Sequence, residues 1–328
     1  MTKRVNTDWR AAVVMAMLML VISQAAPAQS FATHPMRLLL TNPPGGTVDT
    51  LARVLADGLS HAFGQPVVIE NRPGANGGLA AEAMAATAPD GHTLLLGPPG
   101  PIAINRLLYQ KMSYDPRTAF APVSLVAVAP LVLVVNPGLP AQSLRELIDL
   151  ARARPGAISY ASQGGGSSGH LAMEMLASAV RIELTHVPYK GSAPALTDLI
   201  AGHVQVMFDN TTSSLPHVRR GSLRALAVAE RTRIKAAPEI PTIAESGVAD
   251  FEATPWFGLV ARTGTPQAVI DQIAAEVSRI LARPDVEARF TALGVDLRGL
   301  PAAPFAAYIA SETAKWERII KAASIRLD

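Results

Sequence analysis

Two glycine-bearing stretches hold the residue types that could do chemistry. Pro43-Pro44-Gly45-Gly46-Thr47-Val48-Asp49 stands between an apolar run, Met36 to Thr41, and a segment with Leu51, Val54, Leu55 and Leu59 at helical spacing. A strand, a Gly-Gly turn and a helix start in that order leave backbone N–H groups without partners. The helix dipole adds partial positive charge at the same point. The chemistry this suits is capture of a carboxylate or another small anion. Thr47 and Asp49 are both candidate N-caps, Asp49 more naturally a cap than a ligand contact. Ser162-Gln163-Gly164-Gly165-Gly166-Ser167-Ser168-Gly169 repeats the pattern, after a strand at Ile158 to Ala161 and before a helix from His170 to Val180. Neither loop contains Arg, so an anion held there rests on N–H groups and neutral dipoles rather than a salt bridge.

The second loop also satisfies two other motifs. Gly164, Gly166 and Gly169 fit G-x-G-x-x-G, the dinucleotide fingerprint. The next strand, however, ends in Val187-Pro188-Tyr189-Lys190, with no acidic residue for a ribose. Gly165 to Gly169 fits G-x-S-x-G, which would make Ser167 the nucleophile of a secreted hydrolase. An elbow serine sits directly after its strand, and here several loop residues intervene. Asp209 and His217 follow in the right order but lie too close together for that fold. The seven histidines are scattered without the i, i+4 spacing and supporting carboxylate of a helical metal site, so no metal is expected. His170 stands out, beside the glycine loop, as a ligand contact or a cap.

Other candidates end strands. Gly97 closes the apolar run Thr93 to Leu96. Tyr189 and Lys190 lie in Pro188-Tyr189-Lys190-Gly191-Ser192, where the tyrosine could cover a ligand and the lysine supply charge. Asp209, with Asn210, ends Val204 to Phe208. A bare carboxylate there would repel an anion, so Asp209 would take a ligand's amino or hydroxyl group or anchor loops.

Strand and helix alternate at short spacing through both halves of the chain, which predicts α/β architecture with mostly parallel sheets flanked by helices. Val123 to Val135, longer than a core strand needs and broken by Pro130, reads as a strand crossing from one domain to the next. Leu223 to Val228 crosses back. The expected division is residues 29–127 plus 229–328 as a discontinuous first domain and 128–228 as the second, hinged by the two crossings. Ligands of open α/β sheets sit beyond the carboxyl ends of strands, and every polar loop singled out follows a strand.

The 328 residues suffice for two cored domains, and there is no cysteine, which rules out disulfides and thiolate sites. The formal charge of +3 is mostly the leader's, and no basic run supports nucleic-acid binding. Lys3, Arg4 and Arg10, the apolar run Ala11 to Ile22 and Ala26-Pro27-Ala28 form a cleavable signal peptide over residues 1–28. Export argues against NAD or ATP, and no cofactor is expected.

Taken together, PPGGTVDTLAR, VVIENRPGANGGLAAE, APDGHTLLLG, YASQGGGSSGHLAMEML, VPYKGSAPALTDLIAGHVQVMFDN, LRALAVAERTR and EIPTIAESG closely resemble the extracytoplasmic solute receptors of the tripartite tricarboxylate transporter family, also called Bug proteins. The resemblance covers nearly the whole mature chain in the family's order. It implies a two-domain, periplasmic-binding-protein-like (type II) fold that closes on a small carboxylate, an organic acid or amino acid, and a periplasmic, monomeric, non-enzymatic receptor that delivers it to membrane transporter subunits. Signalling to a membrane sensor kinase is the alternative. Carried onto this sequence, the resemblance implicates Gly45, Gly46, Thr47 and Asp49 on one side. On the other it implicates Ser162, Gly164, Gly166, Ser167, Ser168, His170, Tyr189, Lys190 and Asp209. Many relatives have an aromatic before PPGG where this chain has Thr41-Asn42, which makes the pocket more polar there.

Overall fold

The computed structural model describes residues 31–322; the signal peptide at residues 1–28 falls outside them. Strand β1 (Met36–Leu40) is apolar but for Arg37, and Met36, Leu38, Leu39 and Leu40 are fully buried. It runs parallel to β2 (Val67–Asn71) and β3 (Thr93–Gly97), one on each side. Between β1 and β2 lies helix α1 (Thr47–Phe63), which ends where Gly64 turns left-handed at φ 66°. Its buried stripe includes Leu51, Leu55 and Leu59. A 3₁₀ turn, Ala75–Gly77, leads into the Ala-rich α2 (Gly78–Ala85).

The apolar run expected to be one crossing strand is two. β4 (Phe120–Val128) and β5 (Leu131–Val135) belong to different sheets, with Ala129-Pro130 between them. Pro130 has no N–H to give a ladder, so the first sheet ends there and the second begins one residue later. Helix α3 (Leu144–Ala153) follows, its first turn capped by the Ser143 hydroxyl, which accepts from the Glu146 N–H at 3.2 Å. The order is then β6 (Ser159–Ser162), α4 (Ser168–Val180), β7 (Thr185–Pro188), α5 (Ser192–Ala201), β8 (Val206–Asn210), α6 (Thr211–Arg219) and β9 (Arg224–Val228). Residues 229–255 return the chain to the first sheet. There β10 (Trp256–Arg262), α7 (Gln267–Leu281), α8 (Pro284–Ala292), β11 (Asp296–Pro301) and α9 (Ala302–Ala322) complete it.

The first sheet is six-stranded in the order β11-β4-β10-β3-β1-β2, the second five-stranded in the order β7-β6-β8-β5-β9. Each has a parallel core, β2-β1-β3 and β7-β6-β8. Antiparallel pairings join the strands next to the crossings, β4, β10, β5 and β9, and the edge strand β11. The sequence pattern does not announce β11. It is a half-exposed edge strand with Arg298 and Gly299 in its middle, so neither alternation nor β-branched residues mark it. The two crossings are bonded to each other: the Ala129 N–H donates to the Pro255 carbonyl at 3.1 Å, and the Ala229 N–H to the Leu131 carbonyl at 2.9 Å.

Candidate functional site

A cavity of about 310 Å³ lies between the two sheets, where strand ends of both converge. On the first sheet's side the wall includes Thr41 and Asn42 after β1, Gly46, Thr47 and Val48 at the start of α1, the 73–77 loop, Tyr109 and Phe257. On the second sheet's side it includes Gln163, Gly164, Ser167, Ser168, Tyr189, Lys190, Ser192, Ala193 and Asn210. The starts of α1, α2, α4, α5 and α6 all reach this wall. No side chain caps α1, α2, α5 or α6. The Gly78 N–H at the start of α2 donates to the Ala75 carbonyl and the Thr211 N–H at the start of α6 to the Pro130 carbonyl; the other first-turn N–H groups have no intrahelical acceptor, so partial positive charge gathers at one place from both sides.

Gly46, Thr47, Gly164, Ser167, Ser168, Tyr189 and Lys190 are thus brought together, as the sequence suggested. The Thr47 hydroxyl is buried at the wall and has no hydrogen-bond partner; nor has the buried Asn210 Oδ1. Tyr189 lines the cavity, and its hydroxyl donates to Asp198 at 2.7 Å. Burial and that carboxylate push the phenol up to about 12. Lys190 is exposed at the rim and is the one charged side chain among the described residues that line the cavity.

The other candidates stand behind the wall. Asp49 turns back on its own loop: it accepts from the Gly45 N–H at 3.2 Å and pairs with Arg53 at 2.9 Å, and Gly45 itself is exposed and does not line the cavity. Gly97 packs the end of β3 onto β1, where a Cβ would stand 2.8 Å from Thr41 Cγ2. Asp209 is fully buried and already accepts from Gln163 Nε2 at 2.9 Å, Ser192 Oγ at 2.6 Å and Ser214 Oγ at 2.7 Å. It anchors three wall elements and, fully buried, does not itself line the cavity.

Ser162, Gly166 and His170 form the underside of the second loop. The Gly166 N–H donates to His170 Nδ1 at 3.0 Å. The His170 ring stacks on His186 at 4.1 Å, and His186 stacks on Tyr160 at 4.8 Å. Ser162 Oγ meets His186 Nε2 at 2.7 Å. Burial lowers both imidazoles to about 4, His170's charge adding to the effect on His186. The Ser162–His186 contact is no nucleophile for the cavity, because Ser162 is fully buried. Ser167 is committed too: its hydroxyl donates to Gln163 Oε1 at 3.2 Å and accepts from the His170 N–H at 3.4 Å. No imidazole nitrogen is among its hydrogen-bond partners.

Histidines do gather with an acid elsewhere, at His34, Asp90 and His92. The two rings are stacked at 3.7 Å and 17°, and His92 Nε2 already accepts from the Thr33 N–H at 3.2 Å. Ligand lone pairs lie in the ring planes, so stacked rings do not aim them at one ion.

The cavity thus gathers helix starts from both sheets, and none of the described residues lining it is a histidine or a carboxylate. The model of the tripartite tricarboxylate transporter family receptor matches residues 51–325. The chain belongs to that family. Protein BugT of Bordetella pertussis is 37% identical over 306 residues, covering 92% of this chain and 94% of its own. Among solved structures, an R. palustris protein with adipate superposes at TM-score 0.87 and 38% identity, covering 90% of this receptor and 98% of that chain. MatC from Rhodopseudomonas palustris with bound malate gives 0.84 and 32%, covering 88% and 99%.

Sequence reasoning missed several wall residues of this receptor: Tyr109, Asn76, Ser192 and Phe257. Gln163 and Asn210 sat within noted stretches without a role. One signal was available, since Ser192 and Asn210 begin helices after strands just as Thr47 does.

Proposed function

We propose that the chain is a periplasmic receptor that captures a small carboxylate between two domains, residues 29–127 with 229–328 and residues 128–228. It then hands the ligand, chemically unchanged, to a tripartite-type membrane carrier. The reading has the exported protein acting as a monomer without a cofactor. The observation that carries it is the convergence of uncapped helix starts from both sheets on one cavity, with the partnerless Thr47 hydroxyl among them. The relatives that hold adipate and malate support the same class of ligand.

A thermal-shift panel of mono-, di- and tricarboxylates, amino acids and aromatic acids on the mature chain tests this. A ligand at a hundred times its Kd should stabilise the protein by about 2.7 kcal/mol, well above assay noise. A panel in which no acid raises Tm, while neutral or cationic metabolites do, would end the carboxylate reading.

A further inference from the structure

We infer that Lys190 selects for ligands with a second anionic group: one carboxylate lies among the helix starts, and the Lys190 ammonium meets the other at the cavity mouth. The inference rests on the carboxylate reading and adds a specificity-determining residue to it.

Several observations converge on this lysine. It is the only charged side chain among the described residues of the cavity wall, and it has no ion pair or hydrogen bond of its own. The carboxylates around the wall are already partnered: Asp49 by Arg53, Asp198 by the Tyr189 hydroxyl, and Asp209 by Gln163, Ser192 and Ser214. Its backbone is held on both sides. The Tyr189 N–H donates to the Ser162 carbonyl at 3.1 Å, and the Gly191 N–H to the Gln163 carbonyl at 3.0 Å. The ammonium therefore swings on its own stem over a fixed point rather than on a loose loop.

That point lies where the two sides meet. Gly191, at φ 114°, presses against the Pro43 ring, which leads into the first glycine loop. Lys190 belongs to the second sheet's side, while α1 and its uncapped start belong to the first. An acid with two charged ends would touch both sides at once, and an acid with one would leave Lys190 in water. The helix starts are shared around a cavity of about 310 Å³, which leaves room for a chain of several carbons between the two charges.

The test compares matched acids of equal chain length: succinate with butyrate, glutarate with pentanoate, and adipate with hexanoate. Calorimetric titration would use the wild-type mature chain, Lys190→Gln and Lys190→Arg. We expect the wild type to favour at least one diacid over its monoacid by about threefold to fivefold, the scale of one ion pair made by an exposed lysine. Lys190→Gln should lose most of that preference with its monoacid affinity unchanged, and Lys190→Arg should keep it. The inference is overturned if Lys190→Gln retains the preference, or if it weakens both acids of a pair alike. A wild type that binds only monoacids overturns it and leaves the carboxylate reading standing. A wild type that binds none of the six overturns it, and the wider acid panel then decides the fate of the carboxylate reading separately.

Discussion

Thr47 and Asp209 are both buried polar residues next to the same cavity, and their hydrogen bonding sets them apart. The Asp209 carboxylate is satisfied by three donors from three elements, so it holds the wall together. The Thr47 hydroxyl is satisfied by nothing in the protein, so its partner is to be sought in the ligand. Valine has threonine's shape without the hydroxyl. Thr47→Val should leave stability within about 0.5 kcal/mol of wild type, or raise it, because an unsatisfied buried group is removed. Carboxylate affinity should fall about tenfold. Asp209→Ala should do the reverse first: three orphaned donors cost about 3 kcal/mol or more in urea unfolding, and binding falls as a consequence. Equal stability losses for the two variants would contradict this division of roles.

At the scale of elements, the second glycine loop rests on the stacked rings of His170, His186 and Tyr160, contributed by α4, β7 and β6. The two imidazoles titrate near 4 in the folded protein against about 6.5 in an unfolded chain. Between those values the unfolded chain binds protons that the folded one refuses. The stack's contribution is therefore complete above about pH 6.5 and is lost as pH falls toward 4. Unfolding midpoints measured at pH 7, 5.5 and 4.5 should drop steadily. His186→Phe keeps the stack with one titrating ring fewer and should shrink that slope by roughly half; an unchanged slope would place the acid sensitivity elsewhere.

The same element shows what a sequence reveals and what it hides. The strand-glycine-helix order of both loops was legible because turns and helix starts are local. Gly46, Thr47, Ser167 and Ser168 were found that way, and the structure brings them to one wall. His170 was legible as special, but whether it faced the ligand or the loop's underside depended on β7, which lies beside it only after folding. The same holds for Asp209, whose donors come from 5 to 46 residues away. Tyr109 and Phe257 reach the cavity from segments with no polar motif, so no local pattern could have placed them there.

At the scale of the whole molecule, the two connections between the sheets are where a closing motion would turn. The two sheets are joined through Ala129-Pro130 and the 229–255 segment, and those connections are bonded to each other close to the sheet ends. Away from them the sides touch where Gly191 meets Pro43 and where Gly45 approaches Ala193. If ligand capture is a hinge closure, the Gly191–Pro43 contact forms as the cleft shuts, and extra bulk there should hold it ajar. A Cβ on Gly191 would stand 2.8 Å from Pro43 Cδ, a distance that backbone and a proline ring do not readily yield. Gly191→Ala also strains a positive φ, so it needs a control. Gly221 supplies one: its φ is likewise positive, at 74°, but a Cβ there meets nothing within 4 Å. Both variants should lose some stability, of the order of 1 kcal/mol, from backbone strain. Only Gly191→Ala should also lose ligand affinity, by tenfold or more, and fail to compact in small-angle scattering when a saturating carboxylate is added. Wild type and Gly221→Ala should compact alike. Compaction of Gly191→Ala to the wild-type radius would show that the two sides do not close at this contact, and the cavity would then have to fill without a hinge.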